Sequence, residues 1–384
     1  MKKRIAFLTG TRADFGKLKS LIEILHDKEQ FEVHIFATGM HMDKKYGFTV
    51  MEIEKCGYEN IFKYINYDNE ASMDITLSRT IEGFANYIRL IKPDLIVVHG
   101  DRIEALAGAT VGALNNIQVA HIEGGELSGT VDELIRHAVS KLSHAHFVAN
   151  EEAKIRLCQM GESDESVFVI GSPDMDAMLS TGLPTIEEVK KYYQIPFNNF
   201  AISMFHPVTT EVDDMDVYAE NYIAALEKSN LNFIVIYPNN DKGSDFILHK
   251  IKRLNNRPNF KVFPSVRFEY FLVMMKYASF VAGNSSAGIR EAPFYGIPTV
   301  NVGTRQNGRT ENSDIIHTDY SIKNILSALK YALDKKVEPK QLFGDGKSNH
   351  KFLEILLKKQ FWNISKQKIF TQNYNEPKTS YRHH

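Results

Sequence analysis

The stretch Arg4-Ile-Ala-Phe-Leu-Thr-Gly-Thr-Arg-Ala-Asp-Phe-Gly-Lys-Leu-Lys-Ser-Leu-Ile-Glu-Ile-Leu25 changes its hydrophobic period in the middle. Residues 4–9 form a short apolar run of strand length. Leu18, Leu21, Ile22 and Leu25 then fall at i, i+3, i+4 and i+7, one face of a helix. A second strand is expected at residues 32–38, which completes a strand–helix–strand unit. The same order returns, with further strands expected at 94–99, 118–122, 146–149 and 167–171 and helical stretches between several of them. Repetition of this unit predicts an α/β fold with a parallel sheet covered on both faces.

Turn residues cluster from Gly171-Ser-Pro173 to Gly182-Leu-Pro184, and a new strand–helix series follows them. Its strands are expected at 200–205, 232–237, 260–263, 279–282 and 298–302. The reading is therefore two Rossmann-like, doubly wound domains, residues 1–172 and 173–347, with a hinge near 172–185. A lysine-rich helical stretch is expected from 348 to about 372, and the tail after Asn373 reads as frayed.

The whole-chain numbers agree with this. At about 150 residues per domain, 384 residues make two or three domains. Apolar residues are 43% and charged residues 24%, the balance of a globular chain rather than a disordered one. No apolar run approaches the roughly 20 residues of a membrane span. The apolar stretch after Met1-Lys-Lys-Arg4 is too short for a signal peptide and reads as the first strand of a cytoplasmic protein. With 46 basic and 47 acidic residues, no global excess points to nucleic acid. Cys56 and Cys158 are too few and too far apart for a disulfide framework or a cysteine zinc site.

In doubly wound sheets the loops at the carboxyl ends of the strands form the ligand crevice, so the residues that end the strands matter most. The first strand ends in Thr9-Gly-Thr-Arg-Ala-Asp-Phe-Gly-Lys17. Five residues separate Gly10 from Gly16-Lys17, and Leu18 stands where a phosphate loop needs Ser or Thr, so this is not a Walker motif. A helix N-terminus beside Arg12 suits an anion, or else Arg12 is simply solvated. Later strands end in His99-Gly-Asp101-Arg102 and His121-Ile-Glu123-Gly-Gly-Glu126, the latter followed by a capping-box pattern, Thr130-x-x-Glu133. Asp132 can simply complement that helix's dipole. Yet Asp101, Glu123 and Asp132 share one rim, where crowding is expected to raise their pKa values for acid–base work.

The second half offers His206 before a proline, either an acid or cation or a structural histidine, then Asn239 and the turn Asn284-Ser285-Ser286 opening a helix with Glu291. Such a turn can hold a diphosphate, and Arg305 and Arg309 add cations. His137, His144 and His146 lack the spacing of a metal site on one helical face, so no metal is expected.

Taken in order, Thr9–Asp14, Gly39-Met-His41, His99–Arg102, His121–Glu126, Phe205–Thr210, Gly283–Ser286 and Gly303–Arg305 resemble the UDP-N-acetylglucosamine 2-epimerase family, in particular its hydrolysing branch. The resemblance implies a fold similar to the GT-B glycosyltransferases, with the ligand in the interdomain cleft and the C-terminal helix packed back on the first domain. It implies Asp101, Glu123, Asp132 and His206 as catalytic residues. It implies Arg12, Arg102, Asn239, Ser285, Ser286, Glu291, Arg305 and His41 as nucleotide- or sugar-contacting residues. Gly16 departs from relatives that carry serine there. The chemistry implied is elimination of UDP from UDP-N-acetylglucosamine to 2-acetamidoglucal and hydration to N-acetylmannosamine, without a cofactor, in a homodimer or homotetramer. The alternatives are a UDP- or GDP-linked 2,4-diacetamido-trideoxy sugar as substrate, a non-hydrolysing epimerase, a glycosyltransferase, or a sensor without turnover.

Overall fold

The computed structural model describes residues 2–67, 72–309 and 312–372; the frayed tail expected after Asn373 lies outside them. The first sheet contains β1 (Lys3–Thr9), β2 (Phe31–Ala37), β3 (Ile61–Lys63), β4 (Leu95–His99), β5 (Gln118–Ile122), β6 (Ala145–Val148) and β7 (Val167–Val169). All are parallel, in the order β3-β2-β1-β4-β5-β6-β7. The second contains β8 (Ala201–Met204), β9 (Phe233–Ile236), β10 (Phe260–Phe263), β11 (Val281–Gly283), β12 (Thr299–Val302) and β13 (Ile315–Thr318). It too is parallel, in the order β10-β9-β8-β11-β12-β13. Strand order reverses between β1 and β4 and again between β8 and β11, the switch points where such sheets bind ligands. The chain leaving these four strands carries Arg12, Asp101, His206 and Ser285.

Local sequence explains the elements. Thr11 caps the helix Arg12–His26 by accepting from the Asp14 N–H (3.1 Å), and Phe15, Leu18, Leu21, Ile22 and Leu25 are buried beneath it. At about 1.5–3 kcal/mol per buried apolar side chain, that face alone fixes the helix on the sheet. β3 and β13 are not among the strands expected from the sequence. Both are sheet edges of three or four residues, too short to show a period.

After the helix Ile322–Asp334 the chain returns to the first domain. Phe352, Leu353 and Leu356 of the helix Ser348–Leu356, with Phe361 beyond it, are buried in the first domain's core, where Phe352 meets Phe147 edge-on at 4.7 Å. Asp176 accepts from the Ser348 and Asn349 N–H groups (2.8 and 2.9 Å), holding that helix N-terminus. The helix expected through residue 372 stops at Leu356, apart from one turn at Phe361–Asn363. Beyond it tertiary bonds replace helical ones: Lys368 donates to the carbonyls of Ser140 and Lys141, and His144 bonds the Lys366 carbonyl.

Two glycines set how closely the domains meet. A Cβ on Gly16 would lie 2.5 Å from Phe268 Cβ, and one on Gly129 would lie 1.9 Å from the Arg305 carbonyl oxygen. Gly16 thus serves close packing against the second domain. Gly129 takes the N-cap of the helix Thr130–Leu142 without a side-chain cap. The expected capping box is therefore absent: Glu133 accepts instead from the Ser128 N–H, and Thr130 sits at φ +59°.

Alanine in a helix normally adds stability, but at Gly16 it should hold the domains apart. Gly16→Ala is expected to lower turnover about 10²-fold, the cost of a misplacement near 1 Å, while small-angle scattering with nucleotide bound shows a larger radius of gyration. An unchanged radius and rate would show that Phe268 yields.

Candidate active site

A cavity of about 310 Å³ lies between the two domains, where the strand ends converge. Arg12, Asp101, Arg102, Glu123 and Asp132 line it from the first domain, and His206, Asn239, Ser285, Ser286, Glu291 and Arg305 from the second. His41 is the exception. It is 1% exposed and held between the hydroxyls of Thr9 (3.1 Å) and Thr49 (2.8 Å), away from the cavity wall. Burial lowers its pKa to about 4, so it stays neutral and ties its loop to β1.

Two of the three acids, Asp101 and Glu123, are not raised as expected, because cations face them. Asp101 Oδ2 accepts from Ser128 Oγ (2.7 Å) and from Arg136, while no described residue donates to Oδ1. Burial would push Asp101 up, but Arg136 and Arg309 hold it well below the usual carboxylate range. Glu123 sits at φ +62°, a strained backbone for a residue with a side chain. Its Oε1 accepts from Arg290 (2.6 Å) and Ser172 Oγ, and its Oε2 faces His99 Nε2 at 3.1 Å. Against the penalty of burial, Arg290, Lys17 and His99 keep Glu123 ionised. His99 Nδ1 meets Asp14 at 2.8 Å, so both ring nitrogens face carboxylates. Burial opposes the imidazolium, yet these bonds raise it to about 9.

Asp132 alone of the three behaves as expected. Burial first and the Asp101 charge second push it up to about 7, although Arg305 lies 2.9 Å away. Of these three acids, two are therefore ionised beside one that carries a proton near neutrality, the separation that acid–base chemistry needs.

On the opposite wall, His206 Nδ1 accepts from the Asn239 N–H (3.0 Å), which leaves its proton on Nε2. Burial and the nearby Arg305 lower its pKa to about 3, so of the alternatives left open it is a neutral donor, not a cation. The turn at Ser285 leads into a single 3₁₀ turn, Ser286–Gly288, and a four-residue helix, Glu291–Phe294, that contains Pro293. That helix is too short to contribute a macrodipole, and the hydroxyls and N–H groups of the turn remain. Glu291 Oε2, Asn239 Oδ1 and Arg12 Nε are buried with no hydrogen-bond partner among the described residues, three polar atoms left for a ligand. Arg12 also donates to Ser265 (2.8 Å), and Arg102 bonds Glu104 (3.2 Å) and Asn240 (2.8 Å). The three histidines outside the cleft have other partners: His137 bonds Glu133, His144 the Val119 N–H, and His146 the buried Glu162.

Five contributors went unassigned in the sequence. Lys17 and His99 stand inside the strand-end motifs, and Arg290 directly precedes Glu291. Arg136 follows Asp132 by four residues, on the same helix face, a spacing that could have revealed it. Asp174, which pairs with Lys17 at 2.8 Å, gave no signal.

The profile of the UDP-N-acetylglucosamine 2-epimerase family matches residues 23–357. A UDP-N-acetylglucosamine 2-epimerase of Neisseria meningitidis is 50% identical over 96% of this chain and 98% of its own. A hydrolysing UDP-N,N'-diacetylbacillosamine 2-epimerase of Legionella pneumophila is 36% identical over 93% of this chain and 96% of its own. Among solved structures, a Methanocaldococcus jannaschii UDP-N-acetylglucosamine 2-epimerase in complex with UDP-GlcNAc and UDP superposes with a TM-score of 0.76 at 23% identity, covering 92% of this chain and 99% of that one. The fold is thus GT-B-like, two parallel-sheet domains around a cleft.

The raised pKa of Asp132 costs stability. The folded chain holds its proton up to about pH 7, whereas an unfolded Asp loses it near 3.9. Wild-type stability therefore falls as pH rises across that window and is level above it. Asp132→Asn should be more stable than wild type at pH 8, by about 1–2 kcal/mol after allowing for solvent access. The gain should shrink as pH drops through 7 and vanish below 4. Urea unfolding across pH measures it, and a pH-independent difference would contradict the assignment.

Proposed function

This chain belongs to the UDP-N-acetylglucosamine 2-epimerase family, and we propose that it is a hydrolysing member, converting UDP-N-acetylglucosamine and water to UDP and N-acetylmannosamine. The observation that carries the reading is a pair of ionised carboxylates and one near-neutral carboxyl around a cleft whose other wall offers hydroxyls, arginine and unpaired acceptors. The diphosphate lies on the Ser285–Ser286 turn between Arg12 and Arg305, with the His206 Nε2–H as a neutral donor. The unpartnered Glu291 Oε2 takes a ribose hydroxyl.

The C2 hydrogen is barely acidic, so C1–O cleavage runs ahead and the ring gains oxocarbenium character. Ionised Glu123 and Asp101 stabilise that charge. Asp101 takes the C2 proton through Oδ1, the C–H pair becomes the C1–C2 double bond, and the C1–O pair leaves on the β-phosphate of UDP. In hydration Asp132 returns a proton to C2 from the other face, water adds its oxygen to C1, and a carboxylate takes the water's proton. Arg305 drawn onto the diphosphate leaves Asp132, which keeps that proton more firmly.

UDP-N-acetylglucosamine alone should yield UDP and free N-acetylmannosamine by proton NMR. A UDP-linked mannose sugar would mean a non-hydrolysing epimerase, a donor that persists until an acceptor is added a transferase, and tight binding without release a sensor. Faster turnover of the UDP-linked 2,4-diacetamido-trideoxy sugar would favour the reading that the Legionella relative suggests. Asp101→Asn, Glu123→Gln and Asp132→Asn should each lower turnover about 10²-fold or more with substrate still bound. Wild-type turnover should fall above pH 7 as Asp132 deprotonates; near-normal rates in all three variants would remove the acid–base set.

A cytoplasmic homodimer or homotetramer belongs to the same proposal. Leu90, Leu114 and Leu134, 70–78% exposed on the neighbouring helices Met73–Ile91, Ile103–Leu114 and Thr130–Leu142, offer an apolar face for self-association. Light scattering should give a multiple of the chain mass, and Leu114→Glu should reduce it.

A further inference from the structure

We infer that Arg290 is a positioning residue: it reaches from the second domain across the cleft and holds the Glu123 carboxylate in place and ionised only while the domains are closed. This rests on the reading of Glu123 as a carboxylate of the reaction.

Arg290 is 7% exposed. Its Nη2 donates to Glu123 Oε1 (2.6 Å) and Ser172 Oγ (2.9 Å), with Asp174 Oδ2 at 3.4 Å, and its Nη1 pairs with Glu126. The guanidinium also lies 4.7 Å from the Phe343 ring centroid. Glu123 and Glu126 belong to the first domain, and Asp174 to the helix Pro173–Met178 that joins it to the second. Glu123 is faced from the helix Arg12–His26 by Lys17 (3.8 Å), and from the end of β4 by His99, itself shared with Asp14. Arg136 of the helix Thr130–Leu142 holds the Glu123 carbonyl, Glu126 lies on the same loop, and Asp174 enters from the helix Pro173–Met178. The second domain contributes Arg290 and Glu291, which is 3.7 Å from Lys17.

Opening the cleft withdraws Arg290 and leaves Glu123, Glu126 and Asp174 with Lys17, the shared His99 and Arg136, which Asp101 already engages. Three crowded carboxylates then face too little positive charge, and one of them must take a proton or turn to water. Arg290 is also bonded in sequence to Glu291 and follows the Ser285–Ser286 turn by one turn of chain. Whatever the nucleotide does to this segment is passed to Glu123 through a rigid, two-pronged guanidinium. Nucleotide occupancy, closure and readiness of the carboxylate are in this way one event.

The test compares wild type with Arg290→Gln and Arg290→Lys, each checked for folding by thermal unfolding. With UDP bound, the Glu123 titration is followed by carbon-13 NMR of labelled glutamate carboxyls, assigned with Glu123→Gln. The midpoint should rise by about one unit or more in Arg290→Gln, equivalent to loss of one close opposite charge, and by less in Arg290→Lys. Turnover should fall about 10²-fold with its acid limb moved up, while UDP affinity, coupled to closure through the same contact, falls less, by about tenfold at most. In the unaltered protein, adding UDP should itself lower the Glu123 midpoint, a measurement that needs no variant to fold. A midpoint that moves neither on substitution nor on UDP binding would overturn the inference, as would UDP affinity falling in step with turnover. Wild type that releases no UDP from the sugar nucleotide would end the proposed reaction, while the titration would still judge Arg290.

Discussion

A carboxylate taken out of water keeps its charge only while a cation faces it at close range. In this protein much of that cation supply comes from the other domain. Glu123 has Arg290, Asp132 has Arg305, and Asp101 has Arg309 beside the local Arg136. Closure is therefore more than the exclusion of solvent. It brings each acid of the first domain its partner from the second, and it sets the acids to different protonation states because the partners differ in strength and in company. Asp132 retains its proton most readily because Asp101 stands beside it and its single arginine cannot offset both that charge and its burial.

The fold makes this meeting possible by sacrificing local ideals. Glu123 accepts a left-handed backbone, and a helix start is left without a side-chain cap so that Gly129 can admit the Arg305 carbonyl. Gly16 forgoes the better helix former so that Phe268 can approach. These departures gather around the cleft, while the sheets follow ordinary rules of burial and crossover. At Glu123, Gly129 and Gly16 contact across the cleft outranks local stability.

Much of this was legible in the sequence for a simple reason. Parallel sheets need crossover helices, and the alternation of strand and helix periods records that need, so two successive parallel sheets could be read from apolar spacing and the turn cluster between them. The rim acids were legible because strand ends are the crevice. What could not be read was the state of those acids. Asp101, Glu123 and Asp132 look alike as letters, and their separation into ionised and protonated groups depends on Arg136, Arg290, Arg305 and Arg309, three of which lie more than 150 positions away. The choice left open at His206, between acid, cation and structural histidine, is settled toward the neutral ring by burial and by Arg305, again remote in the chain. His41 was misread because a histidine after a strand end can point into the cleft or into the protein, and Thr9 and Thr49 hold it in the protein.

The path of the chain adds an order of events. The first domain's core is closed by Phe352, Leu356 and Phe361, which leave the ribosome only after the entire second domain. The amino-terminal half therefore waits, its seven strands made but one wall of its interior missing, until the last segment arrives. Synthesis of this protein runs from one end to the other, but its maturation does not: the part begun first is finished last, and a message cut short would release a complete second sheet attached to an unfinished first one.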